Sequence, residues 1–196
     1  MANLNQPAKA TRRWIAVLTL GIAIGLFFTN ARPFAPAAAD SGSIVIFVRH
    51  GDAPGSGEPK SFDLNDCSTQ RNLSDQGREK AREIGDMLRA HHVSVGKVLA
   101  SRLCRTRQTA KLMRISPVET NSAFDDLADN KENASELLSR ERSIVDAWHG
   151  PGALVIVTHG SNIKALTGLR VDQGTVVDLG TYNGQLMARL FNPTDE

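Results

Sequence analysis

Two short runs of apolar residues constrain the fold of this chain more than any other feature of its sequence. Residues 43–48 and 153–157 are rich in Val, Ile and Leu and do not alternate polar with apolar positions. This pattern is typical of strands that are buried on both faces of a parallel sheet. Helical patterns lie between the two runs, so the sequence predicts an α/β fold: a three-layer sandwich with a mainly parallel sheet and helices on both faces.

The segments around these strands supply the other elements of the predicted sandwich. Ser74 is suited to cap a helix whose apolar residues recur at spacings of three and four, with Asp75 in its first turn. Residues 51–71 are rich in Gly, Pro, Ser and Asp and predict a long loop. We also predict a strand at residues 98–100, helices around residues 109–113 and 134–148, and a closing hairpin of residues 176–190 that turns at Asn183 and Gly184.

The first 39 residues have the pattern of a secretory signal peptide. They contain four basic residues and no acidic one, and residues 14–28 are uncharged. We predict export, with cleavage after Ala39 and a folded domain of residues 40–196; an uncleaved membrane anchor is the alternative. In a bacterial cell the expected destination is the periplasm.

The charge balance gives no support for a nucleic-acid partner. The whole chain has a net charge of +2, and residues 40–196 hold 19 basic against 21 acidic residues. The slight basicity of the chain therefore belongs to the predicted signal. A membrane partner is expected only if that segment stays attached.

The chain has two cysteines, Cys67 and Cys104, too few for a cysteine-rich zinc module. Export would place them in an oxidising compartment, where a disulfide across this loop would contribute about 3 to 4 kcal/mol by the loop-entropy model. Two buried thiols are the alternative, because the sequence does not fix the separation of the two side chains.

Basic and imidazole side chains follow the predicted strands. Arg49, His50 and Gly51 come directly after the first strand, and His159 and Gly160 follow the later one. The second strand is followed by a segment that contains Arg105. Because the carboxyl ends of parallel strands share one edge of a sheet, these residues are expected to meet there. Guanidinium groups match phosphate oxygens and glycines let backbone N–H groups approach an anion, so the sequence predicts a phosphate site.

The same cations provide a reason for a histidine to act as a nucleophile. Positive charge nearby disfavours the imidazolium, so we predict a lowered pKa and a neutral His50 that can attack phosphorus. A metal bound by His50, His159 and an Asp is an alternative that the arginines disfavour, and the chain has no HExxH or HxxxH spacing. We therefore predict no metal and no cofactor.

Four motifs, in order, resemble those of the histidine phosphatase superfamily, which has the phosphoglycerate-mutase-like fold. The motifs span about residues 44 to 166. They are Arg-His-Gly after the first strand, Leu-Ser-x-x-Gly-x-x-x-Ala from Leu73, Ser-x-Leu-x-Arg-x-x-Gln-Thr-Ala from Ser101, and the late Thr-His-Gly from Thr158. Each motif alone is weak, but four at the expected elements are specific.

The resemblance implies a role for each matching residue. His50 would be the phosphorylated nucleophile, Arg49 and Arg105 would hold the phosphate, and His159 would be the second histidine around the transferred group. The family's usual Glu donor is missing from its expected place, where we select Asp126 as the proton donor and keep Asp125 as the alternative. Arg102 and Arg107 fall off the motif and are expected to be solvated surface charges.

These residues predict an exported, metal-independent phosphomonoesterase with a phosphohistidine intermediate. The chain most resembles exported bacterial members, a group that includes phosphatases of lipopolysaccharide-core heptose. Its expected substrate is a phosphorylated small molecule, glycan or phosphoprotein. The alternatives are a phosphotransferase or mutase on the same fold, and a non-catalytic phosphate-binding module.

Overall fold

The structure of the protein is a computed structural model that describes residues 44–182 and 185–191. These residues form one six-stranded sheet with helices around it. The strands are β1 (Val45–Arg49), β2 (Val95–Ala100), β3 (Val118–Thr120), β4 (Ala153–Thr158), β5 (Val176–Tyr182) and β6 (Gln185–Leu190). They lie in the order β3-β2-β4-β1-β5-β6. The first four strands of that order run parallel, and β5 pairs antiparallel with both β1 and β6. The mainly parallel sheet of the prediction is confirmed.

Helices cover both faces of this sheet. They are α1 (Asp75–Ala90), α2 (Cys104–Met113), α3 (Ala134–Asp146) and α4 (Gly160–Thr167). Ile84 of α1 and Met113 of α2 pack with Val155 in one apolar core, whereas Ile163 of α4 and Ile144 of α3 pack with the opposite face. The strands therefore read as continuous apolar runs because both of their faces are buried.

Local chemistry sets the start of α1 as predicted. The Ser74 side chain accepts a hydrogen bond from the Gly77 N–H, and Asp75 lies in the first turn. Gly77 is required for packing, because a Cβ there would lie 2.1 Å from the Asp52 carbonyl oxygen. This close approach holds the chain that leaves β1 against the first turn of α1.

A disulfide joins Cys67 to Cys104. The Cα atoms are 5.7 Å apart, and the bond attaches the loop after β1 to the first residue of α2. Of the two states that the sequence left open, the bonded one is therefore the one observed.

Some predictions fall on other parts of the chain. The signal segment of residues 1–39 and the Asn183-Gly184 turn lie outside the described residues, although the pairing of β5 with β6 matches the predicted hairpin. Within residues 44–182 and 185–191, no helix is long and apolar enough to cross a membrane.

Candidate active site

Two histidine rings meet at the carboxyl edge of the sheet. His50 follows β1 and His159 follows the adjacent parallel strand β4. Both side chains are buried, and their ring centroids are 5.4 Å apart in an edge-on arrangement. The expected convergence of the two strand ends is thus observed.

His50 is held as a neutral ring with one nitrogen directed by the backbone. Its Nδ1 lies 2.8 Å from the Gly51 carbonyl oxygen, which can only accept, so the proton is assigned to Nδ1 and Nε2 keeps its lone pair. Burial lowers the pKa of His50 to about 3, and the Arg105, Arg71 and Arg49 cations add to the lowering against the opposing Gly51 hydrogen bond. The predicted neutral state is supported, but its main cause is burial rather than the cations.

His159 is positioned through both ring nitrogens. A terminal nitrogen of Arg105, which can only donate, lies 3.2 Å from His159 Nδ1, so Nδ1 accepts. Its Nε2–H then donates to Ser101 Oγ at 2.8 Å. Burial, followed by the charges of Arg105 and His50, lowers the pKa of His159 well below its usual value. The site therefore contains two uncharged imidazoles.

Arg105 is the cation closest to His159 and is completely buried. It forms an ion pair with Glu58, and its Nη2 lies 3.3 Å from Asp126 Oδ2. Its Nε has no hydrogen-bond partner among the described residues. The motif arginine therefore lies beside the histidines as predicted, with two carboxylates as neighbours.

Glu58 is a site residue that the sequence analysis missed. Its side chain is only 3% exposed, and besides Arg105 it accepts a hydrogen bond from the Arg71 backbone N–H at 3.0 Å. It lies in the predicted loop, and no motif or periodicity marks it.

A cavity of about 410 Å³ opens above His50. The residues of the described ranges that line it are Arg49, His50, Arg71, Asp126, Ala128, Gly160, Ser161, Lys164, Arg170 and Val171. The Arg49 Nη1 donates to the Val171 carbonyl oxygen at 2.6 Å. Gly160 leaves room for Arg49, because a Cβ there would lie 3.2 Å from the guanidinium carbon. Arg49 and Gly160, both predicted to bind the substrate, thus both line the cavity.

Arg71 is a second residue that the sequence analysis missed. Its Nη1 donates to the carbonyl oxygens of Ala53 and Gly55 at 2.7 and 3.0 Å, so its guanidinium is anchored by the backbone while it lines the cavity. Arg71 lies just before the Leu-Ser motif, which gave no reason to assign it to the site.

Asp126 and the neighbouring Asp125 have different environments. Asp126 lines the cavity, its Oδ2 lies 3.5 Å from His159 Nδ1, and its Oδ1 accepts from Ser161 Oγ at 2.5 Å. Asp125 is buried in an ion pair with Arg102 at 2.5 Å. Of the two candidates for the proton donor, Asp126 is therefore the one that lines the cavity beside His159.

Two predictions about neighbouring residues were wrong, and a third was incomplete. Arg102 is exposed as predicted, but two of its side-chain nitrogens also bond Asp125. Arg107 lies against the disulfide, with Nη2 2.8 Å from Cys104 Sγ. The Gly51 N–H donates to Thr109 Oγ1 at 3.0 Å and is therefore not free to bind an anion.

A buried carboxyl group supports the segment that carries Asp126. Glu141 of α3 is fully buried, and its Oε1 accepts from Asn162 Nδ2 at 2.5 Å. The same Asn162 nitrogen donates to the Asp125 carbonyl oxygen, and Asn162 Oδ1 accepts from the Leu127 N–H at 3.4 Å. Burial raises the pKa of Glu141 to about 7. The Asp126 backbone is thus held on both sides by one amide.

No group of three or more His, Cys, Asp or Glu side chains within the described ranges is arranged to hold a metal ion. The titratable groups around the cavity are instead mixed with guanidinium groups, which suit an anionic ligand.

Comparisons with known proteins agree with this architecture. Residues 45–128 match the family model "Histidine phosphatase superfamily (branch 1)". A search of curated protein sequences found no match. The matched segment is less than half of the chain, and the solved structures show its fold, which has the phosphoglycerate-mutase-like form.

Several solved structures share this fold at low sequence identity. A phosphoserine phosphatase mutant from Entamoeba histolytica, in complex with phosphoserine, has a TM-score of 0.56 at 11% identity and covers 78% of this chain and 98% of its own. A mycobacterial glucosyl-3-phosphoglycerate phosphatase gives 0.53 at 16%, covering 76% and 97%. A phosphoglycerate mutase from Thermus thermophilus gives 0.52 at 19%, covering 76% and 99%. Phosphatases and a mutase thus both occur among the structural neighbours.

Proposed function

From the phosphoglycerate-mutase-like histidine phosphatase fold, we propose that this chain is a metal-independent phosphomonoesterase that forms a phosphohistidine on His50. The observation that carries the proposal is the pair of buried, neutral imidazoles, of which His50 lines a cavity together with Arg49 and Arg71. A neutral ring has a lone pair for attack, and the cations offset the charge of a phosphate.

In the first step, His50 Nε2 attacks phosphorus while the bond to the leaving oxygen breaks. Its Nδ1–H remains bonded to the Gly51 carbonyl oxygen, which stabilises the ring as it becomes positively charged. Asp126, protonated at this stage, gives its proton to the leaving oxygen. The products are the free alcohol, phosphorylated His50 and the Asp126 carboxylate.

In the second step, water attacks phosphorus and the bond between phosphorus and Nε2 breaks. The Asp126 carboxylate accepts a proton from that water, which returns Asp126 to its starting form. Arg49 and Arg71 balance the charge on the phosphoryl oxygens in both steps, and His159, held by Arg105, packs against the His50 ring and fixes its position.

We extend the proposal to export and substrate. The N-terminal pattern and the Cys67–Cys104 disulfide support an oxidising, periplasmic location. There the substrate would be a phosphorylated small molecule, glycan or phosphoprotein, and the resemblance to exported family members makes phosphorylated core sugars a natural choice to test.

A mutase or phosphotransferase on the same fold is the second candidate, because a phosphoglycerate mutase is among the structural neighbours. The two activities differ in the acceptor of the phosphoryl group, which is water for a phosphatase and a second hydroxyl for a mutase. Phosphate release measured with and without added alcohols or sugar acids separates them.

The test of the phosphatase is hydrolysis of para-nitrophenyl phosphate by the full-length protein with excess chelator present. We expect turnover that chelator does not change and that His50→Ala reduces about 10⁴-fold, the scale of loss when a nucleophile is removed. His91→Ala is the matched control, since His91 is an exposed histidine at the end of α1 outside the cavity.

Three results would contradict the proposal. Absence of turnover at every pH from 4 to 8 would favour a binding module. Loss of turnover on chelation would favour a metal site. Equal activity in His50→Ala and wild type would place the nucleophile elsewhere.

A further inference from the structure

The charge of the cavity lining exceeds what one phosphate requires. Four of the described lining residues are cations, Arg49, Arg71, Lys164 and Arg170, and the one carboxylate among them is Asp126. A phosphomonoester carries about two negative charges when fully ionised. Such a ligand leaves positive charge in the lining uncompensated, whether Asp126 is ionised or, as in the first step, protonated.

The four cations are divided between two parts of the cavity. Arg49 and Arg71 are fixed by backbone carbonyl oxygens and are among the charges that lower the pKa of His50, so they serve the phosphoryl group. Lys164 and Arg170 are exposed and line the outer part. Neither forms an ion pair with any residue in ranges 44–182 and 185–191.

The backbone places these two outer cations next to the phosphate end. Lys164 lies one helical turn after Gly160 and Ser161 on α4, and all three line the cavity. Gly168 ends that helix in a left-handed conformation with φ of 78°, which turns the chain back. Arg170 then comes just before Val171, whose carbonyl oxygen accepts the hydrogen bond from Arg49.

We infer that Lys164 and Arg170 form a second anion subsite, and that the substrate carries a further anionic group, a carboxylate or a second phosphate, on the leaving part of the phosphomonoester. This inference rests on the proposed function and deepens it. A second anion would complete the charge balance of the lining, and it would orient the leaving oxygen toward Asp126 before reaction. A neutral alcohol would leave the two outer cations without a partner.

A matched pair of substrates tests the inference. We would measure kcat/KM of the full-length protein for 4-carboxyphenyl phosphate and 4-carbamoylphenyl phosphate, and for the corresponding 3-substituted pair. The carbamoyl group has nearly the shape of the carboxylate but no charge. We expect the wild type to prefer the carboxylate about tenfold in at least one pair, and added salt to reduce the preference, since exposed charges are screened.

Variants of Lys164 and Arg170 test whether these two residues cause the preference for the carboxylate. Lys164→Gln and Arg170→Gln should each lower the ratio of the two kcat/KM values about threefold, and the double variant should bring it close to one. Lys111→Gln is the matched control, because Lys111 is an exposed lysine of α2 that does not line the cavity, and it should keep the wild-type ratio.

The outcomes separate the subsite from the phosphatase itself. Two results would overturn the subsite: equal kcat/KM for the carboxylate and carbamoyl compounds in both pairs, or a preference for the carboxylate that both variants retain. In either case, turnover of the carbamoyl compounds would still support the phosphatase. No turnover of any of the four compounds would contradict the proposed function and, with it, the inference that depends on it.

Discussion

The floor and the rim of the cavity differ in how their residues are held. The floor is the buried layer beneath the cavity: His50, which lines the cavity itself, and the residues packed behind it, Ser101, Arg105 and His159, all from strand ends and the start of α2. The rim consists of the exposed cations Lys164 and Arg170, which come from the outer part of α4 and from the segment that follows it. The floor is fixed by the sheet, whereas the rim depends on the conformation of connecting segments.

Because of this difference, we expect the floor to determine the rate of phosphoryl transfer and the rim to determine which substrates bind well. At the floor, removal from water lowers the pKa values of both histidines and strengthens every hydrogen bond that the two rings make. At the rim, solvent and salt weaken each charge, so a single cation there contributes modestly to binding. Variants of the floor should therefore change the rate of reaction far more than variants of the rim.

The most direct test of this difference between floor and rim is to replace an arginine by lysine in each region. Arg105→Lys should lower kcat/KM about 10² to 10³-fold, because Lys lacks the planar fork that contacts Glu58, Asp126 and His159 together. Arg170→Lys keeps the charge at the rim and should cost about threefold or less. Steady-state kinetics on an aryl phosphate compares the two, and equal losses would remove the distinction.

The disulfide supports the floor, because it attaches the loop that carries Glu58 and Arg71 to the start of α2, where Arg105 lies. The Cys67→Ser/Cys104→Ser variant should lower the free energy of unfolding by about 4 kcal/mol, by the loop-entropy model for 37 residues. Denaturant titration of the oxidised wild type, the reduced wild type and the variant provides the measurement. A midpoint that is the same for all three would show that the loop is held without the bond.

Asp126 lies where floor and rim meet, and its substitution sharpens the assignment of the proton donor. Asp126→Asn should slow an alkyl phosphate about 10²-fold, because a poor leaving oxygen needs a proton, and should slow an aryl phosphate much less. Asp125→Asn is the matched control and should affect stability through the lost ion pair with Arg102. Equal losses on both substrates with Asp126→Asn would count against it as the donor.

Glu141, which is buried in α3, provides a test of whether burial raises the pKa of a carboxyl group in this protein. Its folded-state pKa is about 7, above the ordinary 4.5, so the folded protein retains a proton that the unfolded chain releases between these values. The free energy of unfolding should therefore fall as pH rises from 4.5 to 7, by up to about 3 kcal/mol from this group. Glu141→Gln should remove that dependence, which denaturation at pH 4 and pH 8 would reveal. An unchanged difference between the two pH values would contradict the shift.

The residues of the floor could be predicted from the sequence because the pattern that places them is local and periodic. Uninterrupted apolar runs mark strands that are buried on both faces, and His50 and His159 come directly after two of them. Parallel pairing of these strands then brings both imidazoles to one edge. The Ser74 cap and the helical spacing of α1 are likewise readable from short segments.

The rest of the site depends on contacts between distant residues. Glu58 reaches Arg105 across 47 positions, and Asp125 is distinguished from Asp126 by Arg102, which is 23 positions away. Neither contact leaves a pattern in the sequence around it. The cause of the His50 shift was also misassigned, since a motif shows neighbouring charges but not the depth of burial.

The central claim is that a neutral His50 accepts the phosphoryl group, and rapid quench with mass spectrometry tests it most directly. Enzyme mixed with an aryl phosphate and quenched in alkali, where phosphohistidine survives, should carry one phosphoryl group on the peptide that contains His50. The fast phase should show no titration near pH 6.5, because burial holds the pKa of His50 at about 3. Turnover without any label on that peptide, or equal labelling of His50→Ala, would contradict the account.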